Sequence, residues 1–374
     1  MAKITLSVIK ADIGSIGGHL KPSQKVLQTV ERIIKNQGKK LILDYYLSFT
    51  GDDIAILTTH QKGPQNPQIH HLCFKALMAG AKVAKSQGLY GAGQDLLKTA
   101  FSGNVRGMGP QVAEMEIEER EAESFLFFAA DKTEPGAFNL PFFLAFADPM
   151  YCSGLLLSPE IKKGFKFVIM DVSYPEADRV IELVTPEEIY EIAALLREPG
   201  RFVVESIFSR ATGEQVAAFS TTRLHNIAGK YVGKDDPVAL VRTQKNFPAT
   251  GEILAPFAIV PYVAGFMRGS HVGPLMPTKR NSTISFFDGP PIVSCVAFSM
   301  KKGKLTEPVD CFDHPFWDKV RKKAAEKALA IREQGFYGAA MLSMEELEYT
   351  GIVKVLENLE KRFYLRSPKR KNKK

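Results

Sequence analysis

Residues 3–12 alternate apolar and polar positions, with Ile4, Leu6 and Val8 on one side, and end at Asp12. That period of two predicts a strand. Ser23 then stands where an N-cap belongs. Behind it Val26, Leu27, Val30, Ile33 and Ile34 recur at helical spacing until Gly38. A strand is predicted over about 41–49, broken by Gly51-Asp52-Asp53, and another begins at Ile54. The two read as a hairpin-like pair with carboxylates at the turn. A helix is predicted from about Gln68 to Gln87. Ala113, Met115 and Ile117 alternate with Glu114, Glu116 and Glu118 as a half-exposed strand, and Phe125–Asp131 reads as a buried one, again ending in Asp. Further strands are predicted at 166–172, 201–209, 215–221 and 292–299, and helices at 186–197, 314–333 and 343–361.

Strands that follow strands, with helices between them, predict an α/β (α+β) architecture of layered antiparallel or mixed sheets rather than a doubly wound parallel sheet. No repeat and no Pro/Gly/Ser-rich linker divides the chain, so a single compact domain is expected over 1–360. With 45% hydrophobic and 24% charged residues, the 374-residue chain is neither disordered nor collagen-like. It has no apolar run of about 18 residues, so no membrane-spanning helix is expected. The N-terminus enters a strand pattern directly, without the look of a signal peptide, which makes the cytoplasm the expected address.

The net charge of +8 is not spread over the chain. Residues 361–374 carry eight Lys or Arg and no acid, so residues 1–360 are balanced. The excess describes a basic, disordered C-terminal tail rather than a nucleic-acid-binding surface, and no nucleic-acid partner is expected. The four cysteines, Cys73, Cys152, Cys295 and Cys311, lie far apart and suggest no disulfide framework. Cys311-Phe-Asp-His314 lacks the second pair that a zinc site needs.

The chemistry lies in a repeated placement. Asp12, Asp52 with Asp53, and Asp131 each stand at an end of an apolar strand. Any one of them could be a turn residue. Together on one sheet rim they would repel one another unless cations intervened, and hard oxygen ligands of this kind suit magnesium. Asp235 and Asp236 follow Lys234 in a Gly- and Pro-containing loop. Taken alone, that run reads as a surface segment; with metal bound to its acids, Lys234 could serve as an amine nucleophile and Tyr231 as a proton carrier. The glycines of 88–93 and 103–109 match no nucleotide-binding loop but could offer N–H groups to phosphate. Lys132, Lys245 and Arg268 are candidate cations for the same anion, and His19 could ligate metal or donate to phosphate.

Six segments in order carry a resemblance. They are Ser7–His19, Gly51-Asp52-Asp53, Gly88–Asp95, Ala130–Gly136, Tyr231–Pro237 and Phe287-Asp288-Gly-Pro-Pro. Together they resemble the bifunctional fructose-1,6-bisphosphate aldolase/phosphatases of archaea and deep-branching thermophilic bacteria, the class V fructose-1,6-bisphosphatases, over about residues 3–360. The resemblance implies an α-β-β-α sandwich assembled as a homo-octamer in the cytoplasm, with sugar phosphates as its small-molecule partners. It implies aldol condensation of dihydroxyacetone phosphate with glyceraldehyde 3-phosphate, then hydrolysis of the 1-phosphate of fructose 1,6-bisphosphate to give fructose 6-phosphate. Lys234 would form the Schiff base, Tyr231 would transfer protons and Asp12 would activate water. Several Mg²⁺ ions would be held by Asp12, His19, Asp52, Asp53, Gln94, Asp131, Asp235 and Asp236. Substrate contacts would fall on His19, Tyr90, Gly103, Asn104, Lys132, Gln244, Lys245, Arg268, Asp288 and Tyr349. A single site doing both reactions would need its loop to switch, with Gly229 and Gly233 as hinges. The rival readings are a monofunctional magnesium-dependent sugar-bisphosphate phosphatase, a binding protein that uses its tail, and a metal-stabilised interaction protein without catalysis.

Overall fold

The computed structural model describes residues 3–96, 109–174, 178–223, 235–263, 273–284, 289–333 and 351–366. In chain order the main elements are β1 (Lys3–Asp12), α1 (Gln24–Gly38), β2 (Asp44–Thr50), β3 (Asp53–His60) and α2 (Pro67–Ser86). There follow β4 (Gln111–Glu118), β5 (Glu123–Asp131), α3 (Asn139–Ala147), β6 (Phe165–Asp171), β7 (Arg179–Val184), α4 (Ile189–Leu196), β8 (Phe202–Ser209), β9 (Gln215–Phe219), β10 (Thr222–Arg223) and β11 (Val238–Arg242). The last are β12 (Ile292–Lys301), α5 (Phe316–Glu333) and α6 (Gly351–Glu360).

Among the described residues one sheet runs β10-β4-β1-β3-β2, antiparallel throughout. The larger sheet runs β12-β5-β11-β9-β8-β6-β7 and is extended at its edges by short strands. Period-two alternation gives each sheet two apolar faces, and the faces sort into layers. Ile9, Ala11, Ile54 and Ile56 pack against Val26, Val30, Leu72 and Leu77 of α1 and α2. Leu6, Val8, Ala55, Leu57 and Met115 meet Phe125, Phe127, Leu240 and Phe298 of the larger sheet. That sheet's outer face, with Phe128, Phe167 and Ile207, is covered by Phe142 of α3, Leu195 of α4, Trp317 of α5 and Leu359 of α6. The order is therefore α-β-β-α in one compact unit, as the sequence pattern and the resemblance implied.

The helix ends follow the capping rules. Ser23 Oγ accepts from the Val26 N–H at 3.2 Å, and Asn66 Oδ1 caps α2 ahead of Pro67. Among the elements named above, four escape the sequence patterns: α3, β7, β10 and β11. One face was misread. Glu114 does not point to solvent; it is buried and accepts from Ser7 Oγ at 2.6 Å, with His70 Nε2 3.0 Å away. The start of the basic tail is also held. Tyr364 and Leu365 pair with Val180 and Arg179, while Arg362 and Arg366 meet Glu188 and Glu205 at 2.7 and 2.8 Å. No helix of the described residues is long and apolar enough to cross a membrane.

Candidate active site

The space between the two sheets is lined by every second residue of its strands, and at one end those rows turn polar together. On β1 the row Ile4, Leu6, Val8 continues into Lys10 and Asp12. On β5 Phe125, Phe127 and Ala129 continue into Asp131, and on β3 Leu57 and Ala55 lead back to Asp53. Gln111 closes the row of β4, and Asp236 precedes Val238 and Leu240 of β11. Antiparallel pairing sets Asp12 opposite Asp53. Four carboxylates from distant parts of the chain thus meet because each ends an inward-facing row.

Two lysines run through the cluster. Lys10 is fully buried; its Nζ is ion-paired with Asp53 and donates to the Asp236 carbonyl at 3.0 Å. Lys132 Nζ lies 2.5 Å from Asp52 Oδ1 and 3.1 Å from Asp131 Oδ1. His19 Nδ1 is 3.1 Å from Asp52 Oδ2, and the His19 ring meets Tyr90 edge-on at 4.9 Å. The backbone is pinned as well. The Asp12 N–H donates to Asp95 Oδ2 at 2.8 Å, and the Thr133 N–H to Asp236 Oδ1 at 2.7 Å. Gln111 Nε2 donates to the carbonyls of Asp235 and Asp236, both at 2.7 Å. Gly51 (φ +59°) allows the closest approach: a Cβ there would fall 1.6 Å from Asp131 Oδ2.

The electrostatics are those of crowded anions. Burial, then Asp52, Asp53 and Asp95, raises the Asp12 pKa well above the carboxylate range. Burial likewise raises Asp131 against the pull of Lys132. Burial and Asp235 push Asp236 up to about 8. Asp52 goes the other way: burial opposes its ionisation, but Lys132 and His19 outweigh burial and hold it ionised. Burial opposes the charge on Lys10, yet Asp53, Asp236 and Asp131 raise its pKa overall.

The cluster suits divalent metal. Asp12, His19 and Asp52 form one triad and Asp53, Asp131 and Asp236 another, with the ligand atoms of each within 4.8 Å of one another. Asp131 Oδ2 is buried without a hydrogen-bond partner among the described residues, which is how a ligand atom stands before its cation arrives. Carboxylate oxygens with one imidazole favour a hard cation.

The resemblance named several further residues, and the structure treats them unequally. Six of the eight implied metal ligands fall in the two triads, and Asp235 adjoins the second. Gln94 lies in the turn after α2, where its side-chain oxygen packs over Gly91. Tyr90 and Lys132 are at the site. Gln244 and Lys245 are not: they follow β11 at its other end, beside Arg120 and Glu121, about 26 Å of extended chain from Asp236. Gly103, Asn104, Tyr231, Lys234, Arg268, Asp288 and Tyr349, with the hinges Gly229 and Gly233, lie outside the described residues. Sequence reasoning missed Lys10, Gln111 and Asp95. For Lys10 a signal existed, because it sits on the inward parity of Ile4, Leu6 and Val8, where a charge must have a partner.

The profile of the fructose-1,6-bisphosphatase family matches residues 3–364. The chain is 60% identical over 361 residues to the fructose-1,6-bisphosphate aldolase/phosphatase of Thermus thermophilus, covering 96% of this chain and 99% of that one. It is 48% identical to the protein of the same name from Ignicoccus hospitalis, covering 96% and 93%. The protein of that name from Methanothermobacter marburgensis is 45% identical, covering 96% and 99%.

Proposed function

Because the chain belongs to the fructose-1,6-bisphosphate aldolase/phosphatase family, we propose that it makes fructose 6-phosphate from two triose phosphates in one site. Dihydroxyacetone phosphate and glyceraldehyde 3-phosphate condense to fructose 1,6-bisphosphate, whose 1-phosphate is then hydrolysed. The observation that carries this reading is the meeting of Asp12, Asp53, Asp131 and Asp236 at one end of the interlayer, beside Lys132.

Asp12, His19 and Asp52 would hold one Mg²⁺ and Asp53, Asp131 and Asp236 a second, with Asp235 and Gln94 completing the ligands. Magnesium there supplies charge neutralisation and polarises the phosphate ester and a water molecule. Asp12 takes a proton from the attacking water, a task suited to a carboxylate whose proton affinity burial and then its carboxylate neighbours raise. Lys132 offers its ammonium to the substrate phosphate, and Asp52 orients the His19 ring toward the same anion. In the condensation, the Lys234 amine attacks the C2 carbonyl of dihydroxyacetone phosphate and expels water to form a Schiff base, while Tyr231 moves the proton. Lys234 directly precedes the metal-binding Asp235-Asp236, so one loop serves both steps. Gln244 and Lys245 would contact substrate only in a neighbouring subunit's site, as part of a homo-octamer in the cytoplasm.

The test is an assay starting from the two triose phosphates with magnesium, following fructose 6-phosphate and inorganic phosphate. Both products should appear, and Lys234→Arg should abolish them while leaving phosphate release from added fructose 1,6-bisphosphate largely intact. Phosphate release from the bisphosphate alone, with no product from triose phosphates in the unaltered protein, would leave a monofunctional phosphatase.

A further inference from the structure

Cys295 and Cys311 lie apart from the carboxylate site and face each other across a strand pair. β12 pairs with the short strand 309–310 in antiparallel register, Val296 against Asp310 and Ala297 against Val309. The next pair along that register is Cys295 with Cys311, and the Cys311 N–H donates to the Cys295 carbonyl at 2.9 Å. Directly opposed residues project from the same face of a sheet. Cys295 accordingly belongs to the outer core of the larger sheet, and Cys311 packs against that core. The Cys311 thiol itself donates to the Val309 carbonyl at 3.9 Å. Opposed residues that share a backbone hydrogen bond have Cα atoms about 5.5 Å apart, inside the span of about 4.4–6.8 Å that a disulfide bridges. Cys311 stands one residue past the end of its short strand, so its backbone has room for the small closing of the Cβ atoms that a bridge needs. The other two cysteines differ: Cys73 is packed among α1, α2 and the smaller sheet, and Cys152 Sγ donates to Glu252 at 3.7 Å.

We propose that Cys295 and Cys311 are a reversible thiol pair, bridged by exchange with small-molecule disulfides. Half-buried Cys311 reacts first. Its thiolate attacks one sulfur of the small disulfide, breaks that bond and releases one thiolate, leaving a mixed disulfide on Cys311. Cys295 then gives its proton to the medium and attacks the Cys311 sulfur. The protein S–S bond forms and the second small thiolate leaves. Two protein thiols are oxidised, and one disulfide is reduced to two thiols. The order follows from burial, which disfavours the Cys295 thiolate as a first nucleophile. The bridge would tie β12, whose Ile292 pairs with Asp131 and whose Ser294 hydroxyl lies 2.7 Å from that of Thr50, to the segment leading into α5.

The experiment treats the full-length protein with oxidised glutathione, then counts thiols after denaturation and maps peptides without reduction. Free thiols should fall from four to two. The intact mass should drop by two hydrogens, a single peptide link should join Cys295 to Cys311, and dithiothreitol should restore the starting state. Cys311→Ser should keep Cys295 reduced under the same treatment, and Cys295→Ala should leave a lasting glutathione adduct on Cys311. Retention of all four thiols, a lasting adduct on Cys311 of the unaltered protein, or a link involving Cys73 or Cys152 would overturn the proposal.

Discussion

A lysine with no contact to solvent keeps its charge only where carboxylates surround it, and Lys10 meets that condition through Asp53, Asp131 and Asp236. It fixes the Asp53 carboxylate and, through the Asp236 carbonyl, the backbone that follows Lys234. Lys10→Met removes that cation and leaves Asp53 and Asp236 facing each other in the interior. Breaking a buried pair costs about 3–5 kcal/mol, so denaturant unfolding should show a loss of that order and phosphate release should fall sharply. A loss under about 1 kcal/mol, the range of an exposed pair, would mean that Lys10 is dispensable. Gly51 tests the same rim by size alone. Gly51→Ala puts a methyl group where Asp131 Oδ2 lies and adds backbone strain at φ +59°. Hydrolysis of fructose 1,6-bisphosphate should drop at least tenfold with the fold retained by circular dichroism; unchanged hydrolysis would show that Asp131 can move aside freely. Asp12, Asp52, Asp53 and Asp131 were legible in the sequence because carboxylates at strand ends are conspicuous. Gln111 and Asp95 were not, because their role is to hold backbone groups, and that follows only from which strands become neighbours.

Each strand that builds the site has an apolar body and a polar end, and the period of two carries both to the same face. The other end of the smaller sheet holds a second buried polar network. The Lys62 N–H donates to His60 Nδ1 at 3.2 Å, so the proton sits on Nε2 and points to Ser7 Oγ, 2.8 Å away. Ser7 in turn donates to Glu114, which accepts from the Gln65 N–H as well. Burial pushes His60 down to about 4, below its unfolded value near 6.5. Between these values the unfolded chain binds more protons than the folded one. Stability should therefore fall as pH drops from about 6.5 toward 4, and His60→Gln should flatten that part of the profile. An identical slope in the variant would assign the effect to other groups. The same element scale explains what pattern reading missed. In α3, Asn-Leu-Pro-Phe-Phe-Leu-Ala-Phe-Ala is apolar nearly all round and has no side-chain cap, so it shows neither a helical stripe nor a start signal. In β11, Val-Ala-Leu-Val-Arg is a five-residue run buried on both faces, and alternation is absent where both faces are core.

At the scale of the whole molecule, two sheets and two helical layers set an apolar interlayer behind the acidic rim, so repulsion among the carboxylates bears on the stability of the entire domain. Cation binding to the native state alone stabilises it by mass action. Removing divalent ions with a chelator should lower the thermal midpoint, and magnesium should restore it in a concentration-dependent way. A midpoint indifferent to magnesium would contradict the reading of both triads as metal sites. The layered class and the single domain were legible in the order of strands and helices. The distance of Gln244 and Lys245 from the rim was not, because it depends on which end of β11 the carboxylates occupy. The most direct measurement is borohydride trapping with dihydroxyacetone phosphate and magnesium, followed by peptide mass mapping. A reduced triose phosphate adduct on Lys234 is the expected result and joins the aldol step to the loop that carries Asp235 and Asp236. No adduct on any lysine, with magnesium-dependent phosphate release from fructose 1,6-bisphosphate intact, would contradict the two-step function and leave the acidic rim as a phosphatase site only.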